Sequence, residues 1–338
     1  MHPALKTPLC DFLGIEKPIV QAGMGFVARS DLAAAVSNAG GLGIIGAAFL
    51  TLNQLREEIH KTKDMTDKPF GVDILFATYG RPSTDQRIED FTDEVRKQID
   101  IIFEEGIPII ASGLGNPAPI VPQAHKLGIK ILALIGSTKN ARRVSDGDVD
   151  IVVAQGYDAG GHTGRVGTFS LIPAVVDSID QMVLAAGGIS DGRGLVAALA
   201  MGAVGIWMGT RFVACKEAYA HINYKNKITE INEEGTTRTR CFSGKPCRVI
   251  KNKTTAQWEG REEEIEPFPI QITKISEFIG ENAYEASRLH GRIDIGSCAA
   301  GQSSILINEV INAAEIIDEI IDEAGEILDR LTGSDSTR

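Results

Sequence analysis

The sequence predicts an α/β fold: a closed TIM (β/α)8 barrel with an inserted, mainly helical or loop-rich subdomain and a C-terminal helix. Three observations predict it. Eight short apolar runs recur between residues 18 and 209, most of them ending in glycine or a small polar turn, with helical patterns between them. The runs are apolar throughout rather than alternating, as parallel strands buried on both faces are. At 338 residues, with 43% hydrophobic and 23% charged residues, the chain is long enough for a barrel and an extra segment, and its 36 glycines supply the many tight turns such a fold needs.

The runs fall, in order, at 18–23, 42–46, 70–75, 108–113, 130–136, 150–156, 182–188 and 204–209. Helix patterns lie between them at 30–38, with Ser30 as N-cap and Gly40-Gly41 as the stop, and at 51–63, 85–105, 117–127 and 191–201. Each is placed to cross from one parallel strand to the next, and eight alternations favour a closed barrel over an open doubly wound sheet. The fifth crossover, 137–144, is short and polar and is the weakest repeat. Beyond Arg211-Phe212 the pattern changes. The stretch 218–266 is polar, mixed in charge and poor in strand signals, whereas 305–331 carries Ile316, Ile317, Ile320, Ile321, Ala324 and Leu328 at helical spacing with acids opposite. The expected organisation is a barrel over 1–217, an inserted subdomain over the barrel mouth at 218–300, and a helix within 301–332 that packs back on the barrel. Residues 333–338 are expected to fray.

Composition excludes several functions. A formal net charge of -11 argues against a nucleic-acid surface, which needs a basic face. Cys10, Cys215, Cys241, Cys247 and Cys298 show no CxxC spacing, so free thiols are expected rather than a metal site or a disulfide framework. No run reaches the ~18 apolar residues of a membrane span, and the first 17 residues lack the apolar core of a secretory signal. A cytoplasmic protein with a small-molecule substrate is expected. A homodimer stays open.

In a barrel the carboxyl ends of all strands meet at one mouth, so the glycine turns become a single site. The run Ala154-Gln155-Gly156-Tyr157-Asp158-Ala159-Gly160-Gly161-His162-Thr163-Gly164 is the most telling. Its glycines admit a ligand close to the backbone, and His162, with an ordinary pKa of about 6.5, is suited to proton transfer near neutrality. A histidine that only caps a turn is the plain alternative. Gly187-Gly188-Ile189-Ser190-Asp191-Gly192 and Gly209-Thr210, after the seventh and eighth strands, are placed to offer backbone N–H groups to a phosphate, aided by a helix N-terminus. No GxGxxG turn follows an early strand, so a mononucleotide fits better than a dinucleotide in a Rossmann site. Gly23, Met24, Asp73 and Gln155 would surround its ring system, although Met24 serves equally well as core filler.

Gln21-Ala22-Gly23-Met24-Gly25, Gly40-Gly41-Leu42-Gly43, the 154–162 run, Ala186-Gly187-Gly188-Ile189, Gly209-Thr210-Arg211-Phe212 and Gly301-Gln302 together resemble the nitronate monooxygenase family, formerly called 2-nitropropane dioxygenases. The resemblance covers nearly the whole chain. It implies a TIM barrel with noncovalent FMN, O2 as co-substrate and no metal. It implies that Gln155, Gly160, Gly161 and Gly188 contact the flavin, that Trp207, Met208, Gly209 and Thr210 hold its phosphate end, and that His162 is catalytic. Two positions depart from the family: Asp73 stands where Asn is frequent, and Asp158 where Glu is common. A carboxylate at 73 would lack the amide's donors and add negative charge beside an electron-accepting ring.

The reaction implied is oxidation of alkyl nitronates, or of nitroalkanes, by O2 to a carbonyl compound and nitrite. His162 would act as base or anion stabiliser. The alternative is an NAD(P)H-dependent FMN reductase of quinones or of enoyl thioesters, which shares the barrel and the Gly-Gly-His turn. A flavin-binding barrel without turnover is the third reading. An inosine-monophosphate-dehydrogenase-like chemistry would need a loop cysteine, and the nearest, Cys215, lies beyond Phe212. In the insert, Lys245, Arg248 and Lys251 read either as a solvated face or as contacts for an anionic carrier or nicotinamide phosphate.

Overall fold

All eight apolar runs form strands, and they pair in parallel around a ring. In the computed structural model, which describes residues 1–77 and 87–333, the ring strands are β1 (Ile19–Gln21), β2 (Gly43–Gly46), β3 (Phe70–Leu75), β4 (Ile109–Leu114), β5 (Lys130–Ile135), β6 (Ile151–Gln155), β8 (Met182–Ala186) and β9 (Gly205–Met208). A two-residue strand, β7 (Gly161–His162), stands outside the ring. The hydrogen-bonded order is β1-β9-β8-β6-β5-β4-β3-β2. The last seam closes through Gln21 N–H to Leu42 O and Leu42 N–H to Ile19 O, both 2.9 Å. There the fully buried Gln21 amide substitutes for a ladder: Oε1 accepts from Ile44 N–H and Nε2 donates to Ile44 O, each at 3.1 Å.

Strand alternation divides the core in two. One set of residues, among them Val20, Ile44, Ala111, Leu132, Val153, Leu184 and Trp207, fills the barrel together with Leu9 and Leu13 of the helix Pro8–Leu13. The other set, including Ile45, Val72, Ile110, Val152 and Ile206, packs under the surrounding helices. Gly43 has a specific reason to be glycine, since a Cβ there would fall 1.9 Å from Ala33 O on the helix that crosses it.

The crossovers follow the expected pattern, with corrections. Helix Ser30–Asn38 starts at the residue assigned as its cap: the N-cap is Arg29, one residue earlier, and Ser30 donates its N–H to Glu58 Oε2 at 2.8 Å. A carboxylate from the next helix satisfies the end that a serine hydroxyl was expected to satisfy. Helix Leu52–Met65 starts from Thr51, whose side chain and that of Gln54 form a reciprocal capping box. The expected 85–105 helix is a 3-10 turn, Ile88–Asp90, followed by Asp93–Glu104, and its first two positions lie outside the described residues. The 117–127 segment divides into Ala118–Ile120 and Val121–Lys126, and the weak fifth crossover is a true helix, Thr138–Ser145, capped by Ser137. A helix not anticipated, Thr168–Val176, joins β6 to β8.

After β9 the insert contains more strand than its sequence advertises. β10 (Thr236–Thr239) and β11 (Cys247–Ile250) form an antiparallel hairpin, and β11 pairs on its other edge with β7. Phe242, Cys247, Val249, Trp258 and Ile275 make a separate small core here. Helix Ala313–Thr332 buries Ile316, Ile317, Ile320, Ile321 and Ala324 against helices Gly192–Ala200 and Ser30–Asn38. Gly192 permits that approach, because a Cβ there would lie 2.5 Å from Ala324 N. The expected fraying after 333 lies outside the described residues. Among the described residues no helix is long and apolar enough to cross a membrane.

Candidate active site

A cavity of about 310 Å³ opens at the carboxyl ends of the strands. The candidate catalytic histidine and the candidate cofactor-binding positions line it: Gly23 and Met24 after β1, Asp73 on β3, Gln155 on β6, Gly160, Gly161 and His162 beyond it, Gly187 and Gly188 after β8, and Trp207, Met208, Gly209 and Thr210 at the end of β9. The glycines are there for stated reasons. Gly187 and Gly188 adopt φ of +94° and +75°, a region that excludes most side chains. Gly23 gives way to Asp73, whose Cβ would stand 2.1 Å from a Cβ built on it.

His162 is delivered by the barrel and fixed by the insert. Its backbone pairs with Cys247 on β11, and Gly160 packs so closely on the Ala300-Gly301 backbone that a Cβ would fall 2.7 Å from Ala300 C. Imidazole Nε2 lies 2.8 Å from Ser243 Oγ, and the ring meets Phe268 edge-on at 6.4 Å. Burial, aided by the nearby Lys245 and Arg288 cations, pushes its pKa from 6.5 down to about 4. The imidazole is therefore neutral at pH 7, and it caps no turn or helix.

Asp73 is the one carboxyl group among the described residues lining the cavity. It accepts a 2.8 Å hydrogen bond from Gly113 N–H, has no cationic partner among the described residues, and is 5% exposed. Burial outweighs that hydrogen bond and holds its pKa well above the ordinary 3.8. That shift disfavours the negative charge anticipated at this position, and the protonated form of a carboxyl carries an O–H donor, as an amide carries N–H donors.

The expected phosphate turn is modified too. In the helix Gly192–Ala200, Gly194 N–H goes to Asp191 Oδ1 and Gly192 N–H to Glu323 Oε2 at 2.7 Å, so these donors of its N-terminus are already satisfied by carboxylates. Backbone free for an anion is left to Gly187, Gly188 and the Gly209-Thr210 turn.

Several lining residues escaped the sequence reading. Phe49, Tyr224, Phe268, Tyr284 and Arg288 come from loops or the insert. Phe26 and Phe49, after β1 and β2, both adopt left-handed φ, +68° and +70°, and stack at 4.8 Å; Phe49 also meets Tyr284 at 5.3 Å. Backbone strain of this kind in bulky residues persists only where packing imposes it, here at the rim. Arg288 donates to Gly25 O at 2.7 Å. The insert's basic trio separates: Arg248 is buried and donates to Tyr157 O from Nε and Nη2 at 3.2 Å, Lys251 is exposed, and Lys245 alone lines the site region. Cys215 is buried away from the cavity lining.

Fold and site define a (β/α)8-barrel enzyme with an apolar, glycine-walled mouth and one neutral imidazole held over it. A profile of the nitronate monooxygenase family matches residues 6–323, and the chain belongs to that family of flavin-dependent oxidoreductases. A probable nitronate monooxygenase of Staphylococcus saprophyticus is 32% identical over 96% of this chain and 99% of its own length. A 5-hydroxy-7a-methyl-1-oxo-octahydro-1H-indene-4-carboxyl-CoA dehydrogenase of Rhodococcus jostii is 38% identical over 73% of this chain and 66% of that protein. Among solved structures, FabK from Thermotoga maritima superposes with a TM-score of 0.87 at 35% identity, covering 97% of this chain and 99% of that one.

Proposed function

We propose that the protein is a cytoplasmic FMN-dependent enzyme that oxidises alkyl nitronates, or nitroalkanes, with O2 to a carbonyl compound and nitrite. The observation that carries the reading is a neutral His162 flanked by Lys245 and Arg288 in a cavity where burial disfavours the charge of Asp73, the one carboxyl among the described lining residues. Such a cavity attracts a small anion and has a base ready for a neutral carbon acid.

The residues present fit a flavin mononucleotide. Apolar walls from Ala22, Met24, Ala186 and Trp207 suit a flat ring; Asp73 and the Gln155 amide suit its polar edge; the Gly187-Gly188 and Gly209-Thr210 backbones suit a phosphate. Bound there, the flavin would take an electron pair from the substrate and return it to O2.

The chain's own contribution is position and proton handling. Ser243 has one hydroxyl proton, which it donates to Lys245 O at 3.2 Å, while its Oγ accepts from Lys245 N–H. His162 Nε2–H is therefore assigned as the donor to Ser243 Oγ, and Nδ1 keeps the lone pair that removes an α-proton. Arg288 and Lys245 stabilise the resulting anion, and the aromatic rim of Phe49, Phe268 and Tyr284 limits water. The test is stopped-flow: ethylnitronate should bleach the flavin anaerobically, NADH should not, and His162→Asn should abolish bleaching by neutral nitroethane with flavin content retained. Parallel loss of flavin would make His162 structural.

A second reading, an NAD(P)H-dependent reductase of quinones or enoyl thioesters, is favoured by the likeness to FabK and to a dehydrogenase of a CoA ester. Bleaching by NADH and not by ethylnitronate would select it.

A further inference from the structure

A second cavity, of about 600 Å³, adjoins the first and shares Gly113, Leu114, Leu134, Gln155 and His162 with it. We propose that it binds the phosphate groups of a nucleotide-bearing substrate, either a nicotinamide dinucleotide or a coenzyme A thioester, whose other end reaches past His162 into the first cavity.

The walls of this cavity oppose the charge of the chain. The protein has 45 acidic and 34 basic residues, yet among the described residues lining the cavity there are three cations, Arg143, Arg165 and Lys245, and no Asp or Glu. Some surface cations elsewhere are paired, as Arg56 is with Glu104 and Glu105, or Arg261 with Glu264. Among the described residues Arg143, Arg165 and Lys245 have no carboxylate within ion-pair distance. Arg143 Nε is buried with no hydrogen-bond partner among the described residues, and Lys245 Nζ sits 4.4 Å from the Phe268 ring centre. Donors left unsatisfied in this way carry a desolvation cost that an anion in the cavity would relieve.

The rest of the wall suits phosphate. The eight-residue helix Thr138–Ser145 turns its N-terminal end to the cavity through Ser137 and Asn140, adding a positive dipole end. Next to it, just before Ser137, the backbones of Gly136 and Gly164 run so close that a Cβ on Gly164 would fall 2.7 Å from Gly136 O. Two guanidinium forks and an ammonium around bare backbone match a pair of phosphates, and a nitronate is too small to engage them. Binding here goes beyond nitronate oxidation and gives the second reading above its substrate class, on which only the use of the bound nucleotide depends.

The test titrates the flavin-loaded protein with NADH, with coenzyme A and with adenosine by calorimetry at low and high salt, using wild type and Arg143→Ala/Arg165→Ala. NADH or coenzyme A should bind saturably, adenosine should not, and added salt should weaken binding. The double variant should lose roughly tenfold or more in affinity. Its flavin content and ethylnitronate oxidation should match wild type, and Arg165→Lys should retain part of the affinity. Binding of NADH alone identifies a dinucleotide; binding of coenzyme A alone identifies a thioester. Absence of binding by both, affinity unchanged in the double variant, or loss of nitronate oxidation along with nucleotide binding would each overturn the assignment. A wild type that binds nucleotide but leaves ethylnitronate untouched would instead remove the nitronate reading and leave this site standing.

Discussion

Asp73→Asn separates the protonated carboxyl from every other feature of the mouth. The substitution keeps the side-chain volume and the Oδ1 acceptor for Gly113 N–H, and removes only the capacity to ionise. In wild type, burial raises the folded pKa above the unfolded value of 3.8. Above pH 3.8 the unfolded chain releases a proton that the native chain retains, so stability falls as pH rises, until the folded pKa is passed. For one proton the slope is about 1.4 kcal/mol per pH unit. The Asp73→Asn variant has no such slope. Urea unfolding at rising pH above 3.8 should therefore show a variant whose advantage over wild type grows with pH, at a rate approaching that slope until the folded pKa is passed. An infrared band of a protonated carboxyl should be present in wild type and missing in the variant, and flavin content should be retained. Parallel stability curves together with no such band would show that Asp73 is ionised and refute the neutral-donor account.

Removing the Ser243 hydroxyl (Ser243→Ala) takes away the partner of His162 Nε2; turnover should fall about fivefold, the worth of one ~1 kcal/mol hydrogen bond, with flavin content unchanged. Nitrogen NMR should show the Nε2–H preference lost, and an unaltered tautomer would contradict the assignment. Because the folded imidazole is neutral down to about 4, kcat/KM for a neutral nitroalkane should stay level through pH 6.5 and decline only near 4. The same depression costs stability as pH falls below 6.5, since the unfolded chain takes up the proton first, and His162→Gln should flatten that loss. An apparent kinetic pKa near 6.5 would show that burial does not control the group. Gly23→Ala forces a Cβ into Asp73 and should cost about 1–3 kcal/mol and reduce bound flavin, whereas Gly167→Ala, at φ -60° with nothing within 4 Å, should be neutral in melting temperature.

The barrel was legible because its signal is local: each strand is a continuous apolar run, and each turn that follows is glycine. The candidate residues along those turns could be named for the same reason, since closing the ring brings strand ends together whatever their separation in sequence. What escaped was long-range. Ser30 looks like a cap until Glu58 arrives from another helix and takes the N–H. β10 and β11 read as loop because Thr236-Thr237-Arg238-Thr239 has no apolar face, and β11 is recognised only by pairing with Gly161-His162. Arg288 and Tyr284 carry no motif of their own, and a basic residue in a polar insert gives no sign of whether it faces solvent or the mouth. The state of Asp73 was unreadable for a different reason: residue type gives its charge in water, while burial decides its charge in place.

Barrel and insert divide the chemistry between them. Barrel strand ends supply the glycine walls, Asp73 and Gln155, all set by the closed ring. The insert supplies Ser243, Lys245, Phe268 and Arg288, which fix the tautomer of His162, depress its pKa and set the charge of the entrance. The two meet through the pairing of β7 with β11, the Arg248 clamp on Tyr157 O, the Arg288 hydrogen bond to Gly25 O and the Phe49–Tyr284 ring contact. A change of insert sequence can thus alter which anion is admitted, and how basic the imidazole is, while the cofactor walls stay as they are.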